Sequence, residues 1–265
     1  MIHSILANLP KDFPWKDRIH YFDTIDSTNT RAKLLGAQGV PHGTVLIADS
    51  QTGGRGRLGR SFHSPAGSGI YLSAILRPQC HASKLMHLTC AVGTAMCDAV
   101  EDACGLRPGI KWTNDLVFGK RKLGGILTEL SLDAKGNVSY AVVGIGINCC
   151  QAESDFPEDI RSIATSLQLQ AENSVDRSRV IAAMLKRLEE MSHKLLTQKE
   201  RIMDQYRKDC VTVNQEISVV AGENIRHGTA VAIDDEGALI VRFPDGHTEA
   251  VSSGEVSVRG MYGYI

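Results

Sequence analysis

Apolar positions change period several times along the chain, and each change marks an element. Residues 18–24 and 44–48 read as strands; a short helix between them opens at Ser27 or Thr28, a good cap, and runs to about Gln38. Between residues 49 and 68 there are five glycines and almost no apolar periodicity. A loop of that length inside a compact domain is usually functional or disordered, and here it is taken as functional. Residues 69–76 resume as a strand, and residues 82–104 carry apolar side chains at helical spacing, with Gly105 placed to end the helix. Residues 111–118, 123–132 and 138–147 then read as consecutive strands of an antiparallel meander, turned at 119–120 and 133–137. Residues 175–207 read as one long helix with Ile181, Met184, Leu185, Leu188, Met191 and Leu195 on one face.

From about Gln215 the texture shifts to short alternating strands broken by Asp234-Asp235-Glu236-Gly237 and Pro244-Asp245-Gly246. The pattern predicts an α+β fold with a mixed, mainly antiparallel sheet in residues 1–213 and a small β-barrel-like module in residues 214–265. No helix-turn-helix is expected, because the predicted first strand begins only about 17 residues in.

Bulk composition narrows the function classes. With 29 basic and 30 acidic side chains in 265 residues, nothing in the overall balance points to nucleic acid or a membrane surface, so a charged ligand must be met by local clusters. The seven cysteines are odd in number and unspaced for a disulfide frame, and the first residues do not resemble a signal peptide, which predicts a reducing cytoplasm. No apolar run approaches the roughly 20 residues that span a bilayer. Cys90, Cys97 and Cys104 recur every seven residues, so on a helix neighbours would stand about 10.5 Å apart, too far to share a zinc ion.

The most informative stretch is Gly53-Gly54-Arg55-Gly56-Arg57-Leu58-Gly59-Arg60. It contains G-x-G-x-x-G, but a dinucleotide-binding turn needs a helix after it and an acidic residue about 20 positions on, and neither is present. Four glycines in seven positions expose backbone N–H groups, and three arginines add fixed charge suited to phosphate or carboxylate. A solvated basic loop touching RNA is the bland alternative, which loses weight in a chain of near-zero net charge. A second cluster follows in Lys111-Trp112-Thr113-Asn114-Asp115 and Lys122-Leu123-Gly124-Gly125-Ile126-Leu127-Thr128-Glu129, which puts two lysines, an amide and a carboxylate on one predicted hairpin. Singly these are ordinary surface or turn residues. Glycines inside a strand, repeated in Gly144-Ile145-Gly146-Ile147-Asn148, suggest close approach of a ligand or another backbone.

These motifs, with Asp26-Ser27-Thr28-Asn29 and Gln51-Thr52, resemble in order those of the biotin protein ligases. The resemblance implies a ligase core like that of class II aminoacyl-tRNA synthetases in residues 1–213, closed by an SH3-like module in 214–265. It implies that biotin is activated with ATP and Mg2+ to biotinyl-5'-AMP, then transferred to a lysine of a biotin carboxyl carrier protein. On this likeness Ser27, Thr28, Asn29 and Gln51 would hold the ureido ring. Arg55, Gly56 and Arg57 would cover the biotin carboxylate and ATP phosphates, with Arg60 reaching the phosphates too. Lys122 would lie against the carboxyl oxygen near Gly125, where one such charge pairing at about 4 Å is worth about 4 kcal/mol before desolvation. Lys111, Asn114, Asp115 and Asn148 would face the nucleotide, with Asp115 offered to magnesium or as the acceptor of a proton. The chain departs from some relatives in carrying Leu58 for an arginine and Phe62 for a tryptophan. A homodimer is allowed, and neither operator DNA nor a membrane is expected as partner. A lipoate ligase would share the fold and the adenylation, but its apolar dithiolane does not need the polar groups at Ser27–Asn29 and Gln51.

Overall fold

The computed structural model describes residues 1–252 and 257–260. Its larger sheet is built from β1 (Ile19–Ile25), β2 (Thr44–Gln51), β3 (Gly69–Leu76), β4 (Gly109–Lys111), β5 (Asp115–Phe118), β6 (Arg121–Leu132) and β7 (Val138–Asn148), in the spatial order β1-β2-β3-β7-β6-β5-β4. Only β1 and β2 run parallel, because the connection between them is a helical crossover; the other pairs are antiparallel. The mixed, mainly antiparallel sheet is the one the sequence predicts.

The helices are α1 (Ile2–Ala7), α2 (Thr28–Ala37), α3 (Leu88–Cys104), α4 (Glu158–Arg161), α5 (Leu167–Gln170), α6 (Arg177–Lys194) and α7 (Lys199–Asp209). Val92 and Met96 of α3 and Leu185 and Leu188 of α6 are sealed from water in the main core. On the other face Ala32 of α2 packs with Leu46, Ile75 and Val142. Lying between the two layers, β3 is buried at all eight positions. Truncating a core leucine such as Leu185 to alanine would cost about 2–5 kcal/mol.

Three predicted elements are divided. The helix expected over 175–207 is two, α6 and α7. The carbonyl of Leu195, which a continuous helix would offer to an amide four residues on, accepts instead from His87 Nε2 at 3.0 Å. The helix expected from residue 82 is a 3-10 turn, Ala82–Lys84, followed by α3, because the Ala82 amide is tied to the Gly136 carbonyl in the β6–β7 turn. The strand expected over 111–118 is the hairpin of β4 and β5, with Lys111 opposite Asp115. Its turn is clamped from outside the sheet: the Trp112 amide donates to Thr212 Oγ1 (2.8 Å) and Tyr206 Oη donates to the Thr113 carbonyl (3.1 Å).

A second, five-stranded antiparallel sheet comprises β8 (Glu216–Ala221), β9 (Asn224–Ile233), β10 (Leu239–Arg242), β11 (Thr248–Val251) and β12 (Ser257–Gly260), ordered β11-β10-β9-β8-β12. Of the unit expected over 214–265, residues 253–256 and 261–265 lie outside the described residues. Ile217, Val219, Ile233 and Leu239 join the same core cluster as α3 and α6, so the small sheet is packed onto the larger part without a polar gap.

Candidate active site

Strand register explains where the cavity lies. Across β3, β7 and β6 the rows on one sheet face are Ile75, Val142 and Glu129, then Ser73, Gly144 and Leu127, then Tyr71, Gly146 and Gly125. Beneath α2 this face is bulky; beyond its first turn β7 has no side chain to offer. A β-carbon on Gly144 would stand 1.9 Å from Asn29 Oδ1, and one on Gly146 2.6 Å from the Phe62 ring. The bare strip forms the floor of a cavity of about 480 Å³. Its walls bring together Ser27, Thr28, Asn29, Gln51, Arg55, Gly56, Arg57, Arg60, Lys111, Asn114, Asp115, Lys122 and Gly125, every predicted site residue except Asn148. Asn148 Nδ2 is bonded instead to the Thr165 carbonyl at 2.9 Å, outside that wall.

Lys122 reaches the cavity through a β-bulge. In an unbroken strand Lys122 and Gly125, three residues apart, would point to opposite faces. The register of β5 against β6 slips between Leu116 and Val117, so both residues line the cavity while Leu123 turns into the core. Lys122 Nζ then sits 2.7 Å from Asp115 Oδ1. Its backbone is gripped on the outer side as well, the amide donating to Ile163 (2.7 Å) and the carbonyl accepting from Thr165 (2.8 Å).

The Gly/Arg segment folds over this strand as a narrow loop. Gly56 N donates to Arg60 O at 2.7 Å across a turn in which Leu58 (φ 54°) and Gly59 (φ 73°) are left-handed. The loop is tied down at two points: Arg57 Nη1 donates to Asn114 Oδ1 at 2.8 Å, and Arg55 Nη1 lies 3.4 Å from Glu129 Oε2. Burial pulls the Arg57 guanidinium below its usual value, which Asp115 opposes and Arg60 reinforces; it remains a cation at neutral pH. The Arg55, Arg57 and Arg60 side chains and the Lys122 ammonium thus line one space, an arrangement suited to a phosphate chain beside a carboxylate.

At the opposite end Ser27 caps α2 by accepting from the Thr30 amide (3.4 Å), and Gln51 Oε1 accepts from the Thr28 amide (2.8 Å). Donors and acceptors here suit a small neutral polar ring. Trp112, beside Lys111, also lines the cavity, and its Nε1 donates to the Gly237 carbonyl of the β9–β10 turn at 2.9 Å. Among the described residues no three His, Cys, Asp or Glu side chains converge to hold a metal, and Asp115 is the only carboxylate in the cavity wall.

Residues 21–148 match the Biotin/lipoate A/B protein ligase family, and residues 212–259 match the Biotin protein ligase C terminal domain. The biotin--[acetyl-CoA-carboxylase] ligase of Mycobacterium tuberculosis is 33% identical over 236 residues, which span 87% of this chain and 85% of that ligase. The chain belongs to the biotin protein ligase family. The biotin--[acetyl-CoA-carboxylase] ligase of Paracoccus denitrificans is 32% identical over 239 residues, 89% of this chain and 98% of its own length. The biotin protein ligase of Aquifex aeolicus, solved in complex with biotin and ATP, shares the fold at a TM-score of 0.77 and 32% identity, covering 92% of this chain and 99% of that one.

Within the biotin protein ligase fold, two polar residues beside the cavity are given no role by the sequence motifs, although Glu129 ends one of them. Glu129 gathers Lys33 (2.8 Å), Asn29 and Arg55, and Ser73 sits wholly buried between Thr28 and Asn29. The signal for Glu129 was the period of two that runs from Gly125 through Leu127. Ser73 had no signal beyond being a lone hydroxyl in an apolar strand.

Proposed function

We propose that the chain activates biotin with ATP to biotinyl-5'-AMP and then transfers the biotinyl group to a lysine of a biotin carboxyl carrier protein or domain. The observation that carries this reading is the shared cavity of a strand ammonium, Lys122, and the arginines of the Gly/Arg loop, in a chain of this family. Ser27, Thr28, Asn29 and Gln51 would bind the ureido ring, and the bare strip at Gly125, Gly144 and Gly146 would admit the fused rings. Lys122 would hold the biotin carboxylate for attack on the α-phosphorus, with pyrophosphate leaving. Arg55, Arg57, Arg60 and Lys111 would carry the phosphate charge, and Gly56 would let the backbone close over it. Asn114 would orient the loop through Arg57. Asn148 falls away from the nucleotide wall on this geometry. Magnesium would enter with the triphosphate, with Asp115 as the residue that would hold it, and would neutralise phosphate charge.

In the second step the amine of the acceptor lysine attacks the acyl carbonyl, AMP departs, and Asp115 would take the proton. Closure of the loop shields the mixed anhydride from water meanwhile. Relatives named for acetyl-CoA carboxylase point to the carrier subunit of that enzyme as acceptor. No helix among the described residues is long and apolar enough to cross a membrane, and all seven cysteines are unbridged, which suits the reducing cytoplasm expected from the sequence.

Exchange of labelled pyrophosphate into ATP tests the reading. Biotin should drive exchange in the wild type and not in Lys122→Ala; exchange driven by lipoate alone would overturn the biotin assignment.

A further inference from the structure

Two thiols meet where β7 ends. Along an extended strand neighbouring side chains point to opposite faces, but β7 stops at Asn148 and the chain bends at Cys150, which brings Cys149 Sγ and Cys150 Sγ to 3.7 Å. Cys149 is sealed from water and Cys150 is half-buried. When Cys150 ionises, the Cys149 S–H donates to its sulfur and the Arg177 guanidinium adds an attractive charge; together they outweigh burial and hold the Cys150 thiol below its ordinary value. Cys149, which gives that hydrogen bond from a buried position, is pushed up. A half-exposed nucleophilic sulfur thus lies beside a second thiol placed to resolve an oxidised form of the first.

The peptide between the two cysteines anchors two other parts of the chain. Its carbonyl, that of Cys149, accepts from the Gln168 amide of α5 at 2.8 Å, and its N–H, that of Cys150, donates to the Ser68 carbonyl at 2.7 Å, on the return limb of the Gly/Arg loop. Gln168 follows the segment whose Ile163 and Thr165 grip the Lys122 backbone. A disulfide between adjacent residues closes a ring through this same peptide. Adjacent Cα atoms are about 3.8 Å apart, inside the roughly 4.4 Å lower bound of ordinary disulfides, so ring closure must twist the peptide away from the geometry that serves both bonds.

We propose that Cys149 and Cys150 form a reversible redox site, closed to a disulfide by hydrogen peroxide and reopened by dithiols, whose closure loosens the Ser68 and Gln168 anchors. The Cys150 thiolate attacks one peroxide oxygen, the O–O bond breaks, and the departing hydroxide takes a proton to leave as water, which makes a sulfenic acid. The Cys149 sulfur then attacks the Cys150 sulfur, the S–O bond breaks, and the departing oxygen takes up the Cys149 proton as a second water. Two electrons pass from the two sulfurs to peroxide. A strained ring of this kind is readily reduced, which makes the change reversible.

Peroxide treatment of the reduced full chain, followed by alkylation, trypsin digestion and mass spectrometry, tests the site. Peptide 136–161 holds both thiols and no other cysteine. It should lose two hydrogens, escape alkylation, and return to the dithiol form with dithiothreitol. In Cys149→Ser the reaction should stop at a Cys150 sulfenic acid that dimedone traps. The effect on activity rests on the biotin reading: pyrophosphate exchange should fall about tenfold on oxidation, recover on reduction, and resist peroxide in Cys150→Ser. A peptide 136–161 that keeps both thiols free, a cross-link from it to Cys104, or equal inactivation of Cys150→Ser would overturn the inference. Absence of biotin-dependent exchange in the reduced wild type would instead overturn the functional reading.

Discussion

Lys122 Nζ stands 2.7 Å from Asp115 Oδ1, across a bulged hairpin that aims both side chains into one cavity. The ammonium is therefore held in place before any substrate arrives, and the carboxylate beside it is the only one in the cavity wall among the described residues. Asp115→Asn should separate the two half-reactions. Transfer to the acceptor lysine is expected to fall about 100-fold, while biotin-dependent exchange falls less than about tenfold. Single-turnover transfer from preformed adenylate measures the first, and equal losses in both would remove Asp115 from the proton-accepting role.

Arg57 ties the loop to the β4–β5 turn through Asn114. Arg57→Gly removes that tie and frees the backbone, so biotinyl-adenylate should escape into solution several times faster than from the wild type. Asn114→Ala should reproduce part of the leak. Chromatography of the supernatant after reaction with biotin and ATP reads it, and no release above wild type would count against the lid.

Gly144 faces Asn29 at a distance that a methyl group cannot share. Gly144→Ala should displace Asn29 and with it the ureido wall, lowering biotin affinity about 100-fold and stability by about 1–3 kcal/mol. Calorimetry and thermal unfolding check the two effects, and wild-type affinity in a folded variant would place the ligand elsewhere.

His87 is sealed from water; its Nε2 donates to Leu195 O, and Nδ1 finds no partner among the described residues. Burial lowers its pKa from an ordinary 6.5 despite the opposing Leu195 bond. Below pH 6.5 the unfolded chain takes up a proton that the folded chain refuses, so stability falls as pH drops from there to the folded-state value. His87→Asn should melt lower at pH 7.5 but lose less between pH 6.5 and 5 than the wild type. Parallel melting curves across that range would exclude His87 as a source of acid sensitivity.

Much of the site is legible in the sequence. The Gly/Arg loop and the Lys122–Gly125 strand announce themselves because glycine in a strand and arginine among glycines are locally improbable without a ligand. What sequence alone withheld is set by partners distant in the chain. Lys122 faces Asp115 only because of a register slip, which no run of residues signals. The division of 175–207 follows from a carbonyl claimed by His87, over a hundred residues upstream. Asn148 sits at the end of a legible strand, yet its amide turns to Thr165, a contact that periodicity does not encode. Glu129 is a charged residue on a half-buried strand, and its role emerges only when α2 and the loop are folded against it.

The bond from Trp112 to Gly237 carries a consequence for biosynthesis. The indole N–H that braces the turn between Lys111 and Asn114 finds its acceptor only after residue 237 has been made, and it is buried once it does. A ribosome-bound chain short of that point can already make the Thr212 and Tyr206 clamps but lacks this third tie, so its turn is held less firmly. Newly emerging polypeptide should therefore be a poor producer of free acyl-adenylate, with competence arriving together with the closing turn.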